Sequence, residues 1–134
     1  MSMIRAYHFV GNTLRDGRPI PADGEWLEEP VIAICERGLH ASKHVADALQ
    51  FAPGSTLCLV ELDGEIQEQP DKVCAQRRRI IARIDATQLL RADARASALS
   101  VAHLWDMPAI MRQYLESGDE SIRAAADAAD AAHA

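Results

Sequence analysis

Apolar residues form short, β-branched blocks over the first two thirds of the chain and recur every three or four positions over the last third. The first block, Ile4-Arg5-Ala6-Tyr7-His8-Phe9-Val10, reads as a strand. Gly11 to Glu29 is dense in Gly, Pro, Asn and Asp, which favour turns through positive or fixed φ. It reads as a loop or a tight polar hairpin, pinned by Trp26. Val31-Ile32-Ala33-Ile34-Cys35 predicts a short strand ended by Arg37-Gly38. Ser42 predicts a helix cap, because its hydroxyl can accept from free first-turn amides. The helix would run from Lys43 to Phe51, with Val45, Ala48 and Leu49 on one face, and stop at Pro53-Gly54. Thr56 to Leu62 is the strongest strand, and Asp63-Gly64 predicts a turn into Glu65-Ile66-Gln67. Arg79 to Ile84 fits strand or helix. Strand is favoured, because Asp85-Ala86-Thr87 breaks the run before helical spacing begins.

From Gln88 onward, Leu90, Ala94, Ser97, Val101 and Leu104 predict one buried helical face. Met107-Pro108 starts a second helix, with Pro where its missing N–H does no harm, and Ile110, Met111, Tyr114 and Leu115 give its apolar side. Gly118 ends that helix. Ser117 or Asp119 caps a third carrying Ile122, Ala125, Ala126 and Ala129, and Asp127 to Ala134 is expected to fray. Strands followed by helices mark an α+β fold. The expectation is an N-terminal antiparallel or mixed β-sheet with one short helix, then a C-terminal bundle of about three helices. The 134 residues fit one domain, strand-rich over 1–85 and helical over 86–134.

Composition narrows the partners more than the fold. With 49% hydrophobic and 25% charged residues the chain can bury a core unaided, and aromatics at 4% leave that core to Leu, Ile, Val and Ala. A net charge of −6 argues against nucleic acid as a partner, since phosphate-driven binding needs surplus Lys and Arg. No apolar run approaches the roughly 18 residues of a membrane span. Met1 to Val10 is too short and polar for a signal peptide, and Cys35, Cys58 and Cys74 cannot all pair within one chain. These features predict a reduced, cytoplasmic protein with no membrane association.

Three constellations carry candidate chemistry. Cys35-x4-His40-x3-His44, with Cys58 beyond, has donors suited to zinc, but the paired Cys-x2-Cys of structural sites is missing. Strand thiols beside loop histidines are the favoured reading, with no metal. Arg77-Arg78-Arg79, followed by Arg83, can fork phosphate or protect a strand edge. On a strand, Arg77 and Arg79 share a face opposite Arg78, and edge protection is favoured. Trp105-Asp106-Met107, with His103 before it, reads as an inter-helix corner.

Tyr7-His8, Gly38-Leu39-His40-Ala41-Ser42, Phe51 and Leu57 to Glu65 form an ordered series. It resembles the core of ADP-ribosyltransferases of the diphtheria-toxin and poly(ADP-ribose) polymerase type over about the first 85 residues. His40 takes the place of the family's first aromatic and Phe51 that of its second. The resemblance implies a cleft for NAD or ADP-ribose, with no cofactor obligatory. His8 would bond the ribose, His40 and Phe51 would flank nicotinamide, and Tyr7, Ser42 and Arg78 would complete the binding set. It also implies altered or lost catalysis. Phe9 replaces the Gly that follows the early His, and the late catalytic Glu aligns with Arg77 or Arg78, where a cation opposes a cationic transition state. A second resemblance, from Tyr7 to Ala126, is to a family of short bacterial and phage proteins sharing Gly-Leu-His-Ala-Ser, Asp-Ala-Thr-x-Leu-Leu and His-Leu-Trp-Asp. The functional expectation is therefore an NAD- or nucleotide-binding domain. The alternatives are a non-enzymatic phage or mobile-element protein that binds a host protein, and a purely structural domain.

Overall fold

The computed structural model describes residues 3–34 and 37–133. Its contacts divide the chain into two compact units, 1–86 and 87–134, and each is described by itself.

The first unit is an antiparallel sheet. Strand β1 (Ile4–Val10) pairs with β4 (Thr56–Glu68), which forms a long hairpin with β5 (Val73–Asp85). The other edge of β5 carries two short strands in succession. These are β3 (Leu39–Ala41) against Val73 to Ala75, and β2 (Trp26–Glu28) against Arg77 to Arg79. Just past β3, Ser42 forms a bridge to Tyr7 of β1, with hydrogen bonds of 2.7 and 2.9 Å in the two directions. The order β1-β4-β5-β3 thereby closes back on β1 as a small ring. Ala6, Val10, Ala41, Cys58, Val60, Leu62, Val73, Ala75 and Ile80 form one buried core cluster drawn from these strands. The aliphatic, aromatic-poor core matches the composition.

The α+β class, the short helix and the three C-terminal helices are as the sequence pattern predicts. Several local expectations are corrected. Asp63-Gly64 is no hairpin turn, because β4 runs straight through it. Gly64, at φ +81°, lets two residues of β4 (Gly64 and Glu65) face the single Gln76 of β5. The result is a bulge that bends the strand without ending it. The reversal comes instead at Gln69 to Lys72, closed by a 2.8 Å bond from the Gln69 N–H to the Lys72 carbonyl.

Val31 to Ile34 forms no strand. Only an isolated bridge joins Ala33 to Arg37, and Cys35 lies outside the described residues. Ser42 is not a helix cap, because the sheet claims it. Its amide and carbonyl serve Tyr7, and its hydroxyl donates to the Asp71 carbonyl at 2.8 Å. Helix α1 (Val45–Leu49) begins after His44, which makes no side-chain cap. Of the expected apolar face only Ala48 is buried, whereas Val45 and Leu49 are exposed. The stretch expected to be loop or hairpin includes β2, whose Trp26 lies under two arginines of the sheet.

The second unit holds α2 (Thr87–Ser100), a 3-10 turn (Ala102–Leu104), α3 (Ala109–Ser117), a second 3-10 turn (Glu120–Ile122) and α4 (Arg123–His133). Met107-Pro108 precedes α3, with Pro108 as its N-cap and Gly118 as its C-cap. The Asp119 carboxylate accepts from the Ser121 amide and so caps the following turn. The expected buried face of α2 is corrected. No residue of that helix is buried, Ala94 and Ser97 are exposed, and Leu104 is 70% exposed. The Ala-rich end is helical as far as His133, and Ala134 lies outside the described residues. Alanine has the highest intrinsic helix propensity, which here outweighs proximity to the terminus.

Candidate functional site

One cavity of about 440 Å³ opens where β1 and β3 meet. That size falls within the roughly 300–1,000 Å³ typical of small-molecule sites. Tyr7, His8, His40, Ser42, Phe51 and Arg78 all line it. Residues scattered over some seventy positions of sequence converge there because the Tyr7–Ser42 bridge draws β1 to β3, and pairing of β3 with β5 brings in Arg78. Phe9 also lines the cavity at 2% exposure, yet it leaves the space open.

The electrostatics are strongly one-sided. Among the described residues Arg15, Arg18, Arg37, Lys72 and Arg78 line the cavity against two carboxylates, Asp16 and Glu29. Asp16 is already held by Arg18, at 2.7 Å to its Nε. Among the described residues Arg15, Arg37, Lys72 and Arg78 form no ion pair. Cationic excess in a concave wall runs against the chain's net charge of −6.

Arg78 is the central group. It is 6% exposed, and its Nη1 donates to the His40 carbonyl at 2.6 Å. Burial among the strands pulls its pKa down to about 10, with repulsion from Arg18 adding to the effect. It therefore stays charged at neutral pH. A buried cation is ordinarily matched by a carboxylate; Arg78 instead faces a cavity.

The two imidazoles are neutral. Burial, then the charges of Arg78, Arg15 and His40, push the pKa of His8 down to about 3. His40 is lowered by burial and then by Lys72 and Arg78, partly offset by a hydrogen bond with the Gly38 backbone. His40 lies close enough to perturb His8, and neutral His8 carries one ring N–H and one acceptor nitrogen. Phe51 is 39% exposed, with the Lys72 ammonium 5.2 Å from its ring centre.

Arg77 and Arg79 have a different role. They stack on Trp26, at 4.3 and 4.7 Å from the ring centre, and pair with Asp63 and Glu61 at 3.0 and 2.6 Å. Edge protection is corrected, because β5 is paired along both edges. The alternation itself separates one cavity-facing arginine from two that clamp β2 to the sheet. Among the described residues no cluster of three or more His, Cys, Asp or Glu has metal-holding geometry, and Cys35 lies outside them.

Arg15, Arg37 and Lys72 escaped the sequence reading. Arg15 sits in a Leu-Arg-Asp-Gly-Arg loop, Arg37 beside Gly38 and Lys72 at the hairpin end, so none shares a periodic pattern with the histidines. Only the ring closure assembles them.

A family model described as Domain of unknown function (DUF7666) matches residues 4–92, more than half of the chain, and the chain belongs to that family. The match covers all the residues of the cavity. No curated protein and no solved structure matches the chain.

Proposed function

We propose that this DUF7666 domain binds an anionic nucleotide-class ligand, NAD or ADP-ribose among the candidates, in the cavity between β1 and β3. The observation that carries this reading is Arg78, a buried charged guanidinium facing open space with no carboxylate partner among the described residues. Desolvation leaves it in a costly state that an anion would relieve. Arg15, Arg37 and Lys72 enlarge the attraction, and Phe51 offers a ring face to a base or nicotinamide.

Binding is a better reading than glycosyl transfer. Leaving-group departure from a ribose develops positive charge, which needs a nearby carboxylate. Among the described residues the cavity's carboxylates are Asp16, engaged by Arg18, and Glu29, against five cations. Those charges oppose an oxocarbenium ion and suit an anion at rest.

Thermal unfolding of the full chain with NAD, ADP-ribose or a nucleoside monophosphate tests the reading. A ligand at about 100 times its Kd adds ~2.7 kcal/mol and raises the midpoint. No shift with any of them at millimolar concentration overturns the proposal. Nicotinamide release from NAD, abolished by His8→Ala, would show catalysis instead of binding alone.

A second reading, a non-enzymatic protein of phage or mobile-element type that docks on a host protein, is favoured by Leu89 and Leu104 in the helical unit. They are 65% and 70% exposed. Capture of a host protein that Leu104→Asp abolishes, with no nucleotide shift, would support it.

A further inference from the structure

The cavity has a polarity along its depth that constrains how a ligand enters. Arg78 projects from β5, a strand paired along both edges, and is 6% exposed. Phe51, from the segment after α1, is 39% exposed and carries Lys72 beside its ring. The fixed charge therefore lies at the floor and the aromatic face at the rim. A base-first ligand would place a neutral ring, and a nicotinamide-first one a cationic pyridinium, against a buried guanidinium, with the phosphates left in water. The reverse orientation satisfies both ends.

We infer that the cavity takes a terminal phosphate monoester, phosphate first, with the phosphate on Arg78, Arg15 and Lys72 adding their charge from the side of the mouth, and the remainder of the molecule against Phe51. This deepens the nucleotide-binding reading and rests on it. Three points single out a monoester. The floor is backed by paired strand, so a group seated there can leave by one arm only, whereas an internal pyrophosphate needs two. Among the described residues Arg15, Lys72 and Arg78 line the cavity without an ion pair, Arg78 at the floor and the other two toward the mouth, and a monoester brings ~1.5–2 negative charges where a carboxylate or diester brings one. Arg15 and Arg78 both act on His8 and His40, so these cations and the two imidazoles share one locus, where the ring N–H of neutral His8 can donate to a phosphate oxygen.

The test is calorimetric titration of the full chain, at one ionic strength, with AMP, adenosine, NAD and inorganic phosphate. AMP is expected to bind at least tenfold more tightly than adenosine or NAD, and inorganic phosphate to compete with it. Lys72→Gln and Arg15→Gln, both near the cavity mouth, are expected to weaken AMP several-fold each while the chain stays folded. NAD binding as tightly as AMP, or AMP affinity indifferent to both substitutions, overturns the phosphate-first seat and leaves the nucleotide reading standing. If no compound binds, both fall together. Arg78→Met adds a third arm, with AMP binding lost in a chain whose far-UV dichroism is unchanged.

Discussion

Replacing Arg78 by Met separates a guanidinium that serves the cavity from one that serves the fold. Burial lowers its pKa from the ordinary arginine value to about 10. At ~1.36 kcal/mol per pH unit, the folded chain thus disfavours the charged form by ~3 kcal/mol. The sign follows from a base whose folded pKa lies below its unfolded one. Above about pH 10 the unfolded chain holds more protons, so the penalty is full below that pH and fades as the pH rises toward the ordinary arginine value. At neutral pH, Arg78→Met removes all of it. Against that gain stands the loss of the 2.6 Å bond to the His40 carbonyl, ~1.5–3 kcal/mol for a charged donor. The methionine stem keeps much of the apolar packing. The net expectation is a variant between unchanged and ~1.5 kcal/mol more stable, read as an equal or higher urea midpoint at constant m. A loss above ~3 kcal/mol, as when one member of a buried ion pair is deleted, would refute the reasoning. Arg78 would then be a structural strut, and the anion site would lose its main support.

His8 should stay neutral as the pH falls, with a pKa of about 3 set first by burial. An unfolded imidazole takes its proton near 6.5, so acid favours the unfolded chain from about pH 6.5 down to 3, by at most ~5 kcal/mol. An NMR titration that finds His8 protonating at the ordinary histidine value contradicts this, and His8→Gln should flatten the acid limb of the stability curve. Gly38→Ala should destabilise the chain by ~3 kcal/mol or more. Its φ is +109°, and a Cβ there would overlap the Cys74 sulfur and press on Ile32. Gly17→Ala, at φ +89° with no atom within 4 Å, should lose only ~1–2 kcal/mol from backbone strain, and equal urea midpoints for the two variants would discount the steric account. Trp26→Ala removes the plate between Arg77 and Arg79. Two cation–π contacts at ~0.5–1 kcal/mol each, plus lost burial, predict ~2–4 kcal/mol by chemical denaturation, and a change below ~0.5 kcal/mol would show that the stack contributes nothing.

The sequence alone determined what depends on near neighbours. Period-two and β-branched runs specified β1 and the interiors of β4 and β5, because a strand's side-chain alternation is written into consecutive residues. Helical spacing and Pro108, Gly118 and Asp119 located α3 and its ends, since capping acts within one turn. Where two local solutions compete, only the tertiary structure chose. Asp63-Gly64 suits a hairpin turn or a bulge equally, and long pairing with β5 selected the bulge. Ser42 suits a helix cap or a strand end, and Tyr7 of β1 decided for the strand. The α2 periodicity was real as a helix but silent on which face is covered, because that depends on what packs beside it. The cavity divides the same way. Its two histidines and Phe51 stood in an ordered series and strand alternation set Arg78 apart from Arg77 and Arg79, but Arg15, Arg37 and Lys72 belonged to no pattern. Charges far apart in sequence make a field only after closure of the strands sets the distances between them, and Coulomb energy depends on those distances, not on order along the chain.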